Sequence, residues 1–169
     1  RSAIESRQFE VFYQPQVSLE NGVLLGVEAL VRWRHPERGL IEPAAFIGDA
    51  EELGLIGRIG FQVAEQALAQ LSRWLTTYGR PLVMALNISA YQLRDPDFVR
   101  EMQALLARHP GVAQQLELEI TETALVHAIE GTPDALRLLS QSGVRVVLDD
   151  LGVGYSALSH LKHFQVHGI

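Results

Sequence analysis

Glu28, Asn87, Glu119 and the adjacent pair Asp149-Asp150 each fall toward the end of a short apolar run, at successive intervals of 59, 32 and 30 residues. Acidic side chains are costly within apolar segments unless they are paired, hydrogen-bonded or bound to a cation. Taken singly, Glu119 or Asp150 is equally well a helix cap or an arginine's partner. Four such positions at a common phase point instead to one metal site fed by successive strands. The donors are carboxylate and amide oxygens, there is no cysteine, and the six histidines are scattered. That set suits a hard cation, magnesium or manganese, better than zinc. Adjacent aspartates can serve two ions, Asp149 shared and Asp150 on the second. Two ions ~3.5–4 Å apart activate a water and stabilise the oxygens of an in-line phosphoryl displacement.

Two further residues can meet an anionic or nucleotide ligand. Arg32 follows Glu28 by four positions, so strand alternation puts both on one face. Its planar fork can bind a phosphate or merely neutralise Glu28, and the sequence does not choose. Gln14, beside Pro15, offers donor and acceptor groups suited to a base edge, against the plainer role of a solvated strand end. Gly152-Val153-Gly154-Tyr155-Ser156 follows the aspartates, where glycines allow a ligand close approach or simply turn the chain. Ser89, Ser156 and Ser159 have no histidine and acid at a motif spacing, so a serine nucleophile finds no support.

These residues need strands to hold them. Val11–Tyr13 and Val23–Trp33 flank the turn signal Glu20-Asn21-Gly22 and predict a β-hairpin. Pro43–Leu53 predicts a helix opened by proline and closed by Gly54. Gly57–Tyr78 carries Ile59, Val63, Ala67, Leu71 and Trp74 at three- and four-residue spacing, an amphipathic helix ended by Gly79. Strands over Leu82–Ile88, Leu116–Thr121 and Val144–Leu148 alternate with helices over Pro96–Arg108, capped by Asp95, and Thr132–Ser142. A last helix is expected over Tyr155–His163. Five strands alternating with helices at about 30-residue spacing imply parallel βα units after an antiparallel first pair. Functional groups gather at the carboxyl ends of such strands in barrels and open sheets alike, and periodicity does not separate the two.

Composition narrows the partners. With 169 residues, 47% hydrophobic and 20% charged, one globular domain is the default. A formal charge of -6 argues against a DNA or RNA duplex partner, which requires a basic patch. No run approaches the roughly 18 apolar residues of a membrane span, and no signal-peptide pattern opens the chain. The chain begins at Arg1 without an initiator methionine, so it is expected to be cut from something longer. The absence of cysteine fits a reducing cytoplasm, with anchoring elsewhere in a parent protein left open.

The motifs also carry a family resemblance. Glu28-Ala29-Leu30 lies within Gly26-Val27-Glu28-Ala29-Leu30-Val31-Arg32-Trp33, followed by His35-Pro36-Glu37-Arg38-Gly39. With Tyr13-Gln14-Pro15, Asn87-Ile88-Ser89, Glu119-Ile120-Thr121-Glu122 and Asp149-Asp150-Leu151-Gly152, the sequence resembles the EAL family of bacterial cyclic di-GMP phosphodiesterases along its whole length. The resemblance implies a TIM-like (β/α) barrel with an antiparallel first strand, incomplete here with about five strands. It implies hydrolysis of cyclic di-GMP to linear pGpG with magnesium or manganese. Glu28, Asn87, Glu119 and Asp149 would bind the first ion, and Asp149 with Asp150 the second. Arg32 would meet a substrate phosphate, Gln14 a guanine, and Glu122 would support the site.

Residues 1–169 thus correspond to roughly the first two-thirds of such a domain. The family's later lysine, in a Lys-Ile-Asp strand, and its general-base glutamate are expected beyond Ile169, and the isolated chain is expected to turn over poorly. A homodimer through the loop after Asp150 and a fused sensory or diguanylate cyclase-like domain are implied partners. Leu151 and Val153 stand where the family carries phenylalanine and threonine, losing an aromatic face and a hydroxyl. They motivate an alternative: a degenerate cyclic di-GMP sensor without catalysis. A purely structural or interaction domain is the third possibility.

Overall fold

The computed structural model describes residues 2–79, 81–121 and 132–149. A short helix α1 (Ser2–Glu5) leads into the hairpin of β1 (Phe9–Val17) and β2 (Leu24–His35), antiparallel and paired from Phe9↔Trp33 to Val17↔Leu24. The turn closes where Gly22 N–H donates to Ser18 O and Asn21 Oδ1 accepts from Val23 N–H, the local side-chain bond that favours asparagine in turns. Both strands run further than their apolar centres indicate. Pro15 fits within β1 because, among the described residues, that strand has a neighbour on one side only.

A sixth strand was not expected: β3 (Gly39–Ile41) folds back on β2 through Trp33↔Ile41, Arg34↔Leu40 and His35↔Gly39. Three residues are too few to show a period. The predicted helix over Pro43–Leu53 is divided into a 3-10 turn (Pro43–Ala45) and α2 (Ile47–Glu52). Between them Phe46 leaves helical geometry to bury its ring against Phe9 and Trp33. Then comes α3 (Ile56–Tyr78), ended by Gly79 at φ 61°, where a left-handed residue costs glycine nothing.

Parallel βα order follows. β4 (Val83–Asn87), α4 (Ala90–Arg94), α5 (Phe98–Ala107), β5 (Leu116–Thr121), α6 (Thr132–Gln141) and β6 (Arg145–Asp149) complete the described elements. The sheet runs β1-β2-β4-β5-β6, with β3 attached antiparallel to β2, and the pairs β2–β4, β4–β5 and β5–β6 are parallel. The expected cap of the helix after Asp95 is corrected. That helix starts at Phe98, and Asp95 Oδ1 accepts from Asp97 N–H at 2.9 Å in the preceding turn. The intervening α4 was missed, although it opens with a Ser89/Gln92 capping box.

One face of the sheet is buried under the helices. Met84, Leu86, Leu116, Leu118, Ile120, Val146 and Leu148 meet Leu68 and Leu71 of α3, Met102 and Leu105 of α5, and Leu136 and Leu139 of α6. Burial along β5 alternates strictly, with Leu116, Leu118 and Ile120 toward the helices and Glu117, Glu119 and Thr121 on the other face. Among the described residues no helix is long and apolar enough to cross a membrane. The helix expected over Tyr155–His163 lies outside the described residues.

Candidate functional site

The face turned away from the helices carries the chemistry. Register places Gln14 opposite Glu28, Glu28 opposite Ala85, Asn87 opposite Glu119, and Thr121 opposite Asp149. Side chains alternate along each strand, so Gln14, Glu28, Arg32, Asn87, Glu119 and Asp149 share one face. The spacing that suggested a common phase in the sequence is this shared face, read across five strands. Asp150, Glu122, the glycine-containing loop after the aspartates and the dimer contact expected there lie outside the described residues.

The acidic residues feel one another. Asn87 Nδ2 donates to Glu28 Oε1 at 2.8 Å. Burial pushes the Glu119 carboxyl up from 4.5 to about 7, and the charges of Glu28, Asp149 and Glu117 add to the rise. Like charges on one partly buried face favour the neutral acid, the imbalance that a bound cation would relieve. Among the described residues, however, no three histidine, cysteine or acidic side chains are gathered closely enough to hold an ion as they stand. The Asn87 amide also presents its nitrogen, not its oxygen, to Glu28. The donor chemistry fits a hard cation, and rotation of these side chains is needed to present it.

Of the two sequence alternatives for Arg32, the pairing with Glu28 is not seen. Its Nε pairs with Glu42 at 2.9 Å, Nη1 donates to Val31 O, and the guanidinium lies 5.9 Å from the Phe12 ring centroid. Glu28 is not its partner. Glu10, the register neighbour of Arg32 on β1, is engaged by Arg34 through Nε and, at 2.7 Å, Nη2. That contact holds the Glu10 carboxyl below its usual range. Gln14 is exposed, and its amide makes no hydrogen bond to another described residue.

Sequence reasoning missed three contributors. Glu42 carried no pattern of its own. Glu117 precedes Glu119 by two residues, a spacing that does announce a shared strand face, and it pairs with Arg145 of β6 at 2.6 Å. The Ser89/Gln92 box fixes the turn directly after Asn87: Gln92 N–H donates to Ser89 Oγ, and Ser89 N–H to Gln92 Oε1. Beside this turn a cavity of about 740 Å³ opens, lined among others by Leu30, Asn87, Tyr91, Arg94 and Thr121.

Known proteins share this fold. The family model for the EAL domain matches residues 1–169. A bifunctional diguanylate cyclase/cyclic di-GMP phosphodiesterase, MucR of Pseudomonas aeruginosa, is 40% identical over 162 residues, covering 96% of this chain and 24% of that protein. The signaling protein YkoW of Bacillus subtilis is 38% identical over 167 residues, 99% of this chain and 21% of that protein. The chain therefore spans about a quarter or less of the curated relatives it matches. A solved structure titled PaMucR phosphodiesterase, c-di-GMP complex, superposes with a TM-score of 0.91 at 39% identity, covering 98% of this chain and 67% of that one. The EAL enzyme Bd1971, in a cAMP- and cyclic-di-GMP-bound form, superposes with a TM-score of 0.87 at 32% identity, covering 98% and 46%. The described strands are thus part of a TIM-like barrel with an antiparallel first strand, and the chain belongs to the EAL domain family.

Proposed function

We propose that residues 1–169 are part of a metal-dependent phosphodiesterase domain that hydrolyses cyclic di-GMP to linear pGpG. The observation that carries this reading is the shared face on which Glu28, Asn87, Glu119 and Asp149 lie on consecutive parallel strands, the last three toward the carboxyl ends of β4, β5 and β6 and Glu28 within the longer β2. The named activity and bound nucleotide of the MucR relatives support it.

In this reading Glu28, Asn87, Glu119 and Asp149 hold one magnesium or manganese ion, and Asp149 with Asp150 a second. Held there, the ions would supply Lewis-acid polarisation of the phosphoryl group and activation of water at neutral pH. The chain's own residues do the rest. Glu119 gives up a proton to become a ligand, and Asn87 turns its amide oxygen inward. Arg32 meets a phosphate oxygen with the guanidinium that Glu42 now holds. Gln14, free on the edge of the same face, offers both amide groups to a guanine. Glu122 supports the site or the loop that follows the aspartates. The bifunctional relative supports a fused diguanylate cyclase-like domain in the parent protein, a cytoplasmic location fits a nucleotide second messenger, and a homodimer belongs to the same reading.

The test is hydrolysis of cyclic di-GMP by the full-length protein with magnesium or manganese, pGpG being resolved by chromatography. Turnover that disappears in Asp149→Asn and Glu28→Gln is expected. Nucleotide binding without any hydrolysis by the wild-type protein would replace this reading with the sensor one, which the substitutions at Leu151 and Val153 favour.

A further inference from the structure

Arg32 is held by an anion that belongs to the protein. Continuing the β2–β3 register one step past Trp33↔Ile41 brings Glu42 opposite Arg32. The Glu42 backbone is fixed there by the strand before it and by the 3-10 turn after it, where its carbonyl accepts from Ala45 N–H at 3.1 Å. Its carboxylate reaches across to Arg32 Nε at 2.9 Å. The two partners are unequal: the Arg32 side chain is 17% exposed and the Glu42 side chain 67%. Arg32 is fixed from two other sides, by Val31 O and the Phe12 ring, whereas among the described residues Glu42 is held at its tip by this pair alone. Glu10, the other acid in register with Arg32, is occupied by Arg34.

We propose that Glu42 is an affinity-setting residue: its carboxylate competes with a substrate phosphate for Arg32 and must swing into solvent before the phosphate binds. The inference rests on the phosphodiester-binding role given to Arg32 above. A guanidinium pairs with carboxylate and phosphate oxygens through the same fork, so the two anions exclude each other at Nε. The exposed partner leaves easily, because a solvated carboxylate recovers most of the pair's energy from water. The buried partner stays in place for the incoming phosphate. Glu42 therefore lowers affinity without touching the reacting atoms.

The experiment uses the full-length protein with three variants: Glu42→Gln, Arg32→Ala and their combination. Glu37→Gln, which removes the same charge from the exposed turn before β3, controls for net charge. Glu42→Gln is expected to tighten cyclic di-GMP binding in EDTA by about two- to fivefold, the range of an exposed ion pair. It lowers KM by a similar factor with kcat unchanged, and the gain vanishes in the Arg32→Ala background. Glu37→Gln is expected to reproduce none of this. Unchanged or weaker binding in Glu42→Gln, or an equal gain in Glu37→Gln, overturns the proposal. A second arm measures the thermal upshift caused by inorganic phosphate, which is expected to be larger in Glu42→Gln than in wild type and lost without Arg32. That arm does not depend on the dinucleotide. If no variant binds cyclic di-GMP, the functional reading falls, and the phosphate arm still decides the competition.

Discussion

Asn87 Nδ2 donates to Glu28 Oε1 at 2.8 Å, joining β4 to β2 across 59 residues of chain. The bond satisfies a carboxylate on a face crowded with negative charge, and it also fixes which atom of Asn87 points at the site. Replacement by alanine removes the donor and costs about 1 kcal/mol of stability, below the ~1.5–3 kcal/mol of a hydrogen bond to a charged group because this one is exposed. Under the proposed function it also removes an oxygen that would bind the ion, so magnesium affinity is expected to fall by roughly tenfold or more. Asn87→Asp sets a second carboxylate against Glu28: the metal-free protein loses stability, and magnesium restores more of it than in wild type. Thermal unfolding with and without magnesium checks both variants. A magnesium response unaltered in Asn87→Ala would remove this residue from the site.

Glu119 gives the metal-free protein a pH dependence of defined sign. Its folded-state value is raised from 4.5 to about 7, so between those limits the folded chain binds more protons than the unfolded one. Stability therefore falls as pH rises from about 4.5 to about 7, then levels off. Partial exposure screens the effect, leaving about 1–2 kcal/mol. Magnesium requires the ionised carboxylate, so its binding releases a proton and strengthens through the same window. The difference in unfolding free energy between wild type and Glu119→Gln, measured in EDTA from pH 4 to pH 8, isolates this group. A difference that stays flat, or grows in favour of wild type as pH rises, refutes the shift.

A cap that begins two residues after Asn87 fixes the backbone leaving that position. Gln92 is 4% exposed, closes the box with Ser89 directly after Asn87, and leans on Gly60 of α3. A Cβ at Gly60 would stand 2.2 Å from Gln92 Nε2 and 2.8 Å from Cδ. The box bonds restrain that side chain, so it cannot simply rotate away. Gly60→Ala is expected to destabilise the protein by about 1–3 kcal/mol, as overpacking does, although alanine is the better helix former. Gln92→Ala alone loses the cap, and in combination with Gly60→Ala it relieves the clash, so the double variant is less destabilised than the two single effects combined. Denaturant titrations of the three variants measure the coupling, and simple additivity would rule the clash out.

Much of this site was legible because it rests on strand periodicity. Glu28, Asn87, Glu119 and Asp149 sit in apolar runs long enough to be recognised, and one phase relationship carried them to one face. β3 was not legible, since three residues bracketed by turn chemistry show no period, and with β3 went Glu42. The division at Phe46 was hidden for another reason: a ring buried between Phe9 and Trp33 overrides a local preference for continuous helix. The partner of Arg32 lay beyond any local rule. Strand alternation named Glu28 as a candidate, but an antiparallel return of the chain supplied a nearer carboxylate. The motif resemblance located the residues, and the register located their contacts.

The pair of Glu117 and Arg145 tests whether the face acts electrostatically as one unit. Both lie on that face below Glu119, 2.6 Å apart, the Glu117 side chain 17% exposed and that of Arg145 46%. Removing the arginine leaves a partly buried carboxylate without its partner and costs about 1–3 kcal/mol. It also leaves the Glu117 charge uncompensated beside Glu119, whose proton that charge already helps to hold. Arg145→Ala should nonetheless strengthen magnesium binding near pH 7, because an uncompensated negative charge attracts a dication about twice as strongly as it holds the proton the dication displaces. Glu117→Gln acts in the opposite direction, because the face loses a negative charge that attracts the dication more than it retains the Glu119 proton, and magnesium binding weakens. A loss of ordered packing alone would move both variants toward weaker binding. Calorimetric magnesium titrations of the two variants at pH 7 separate these outcomes: opposite shifts support an electrostatic unit, and parallel shifts sink it.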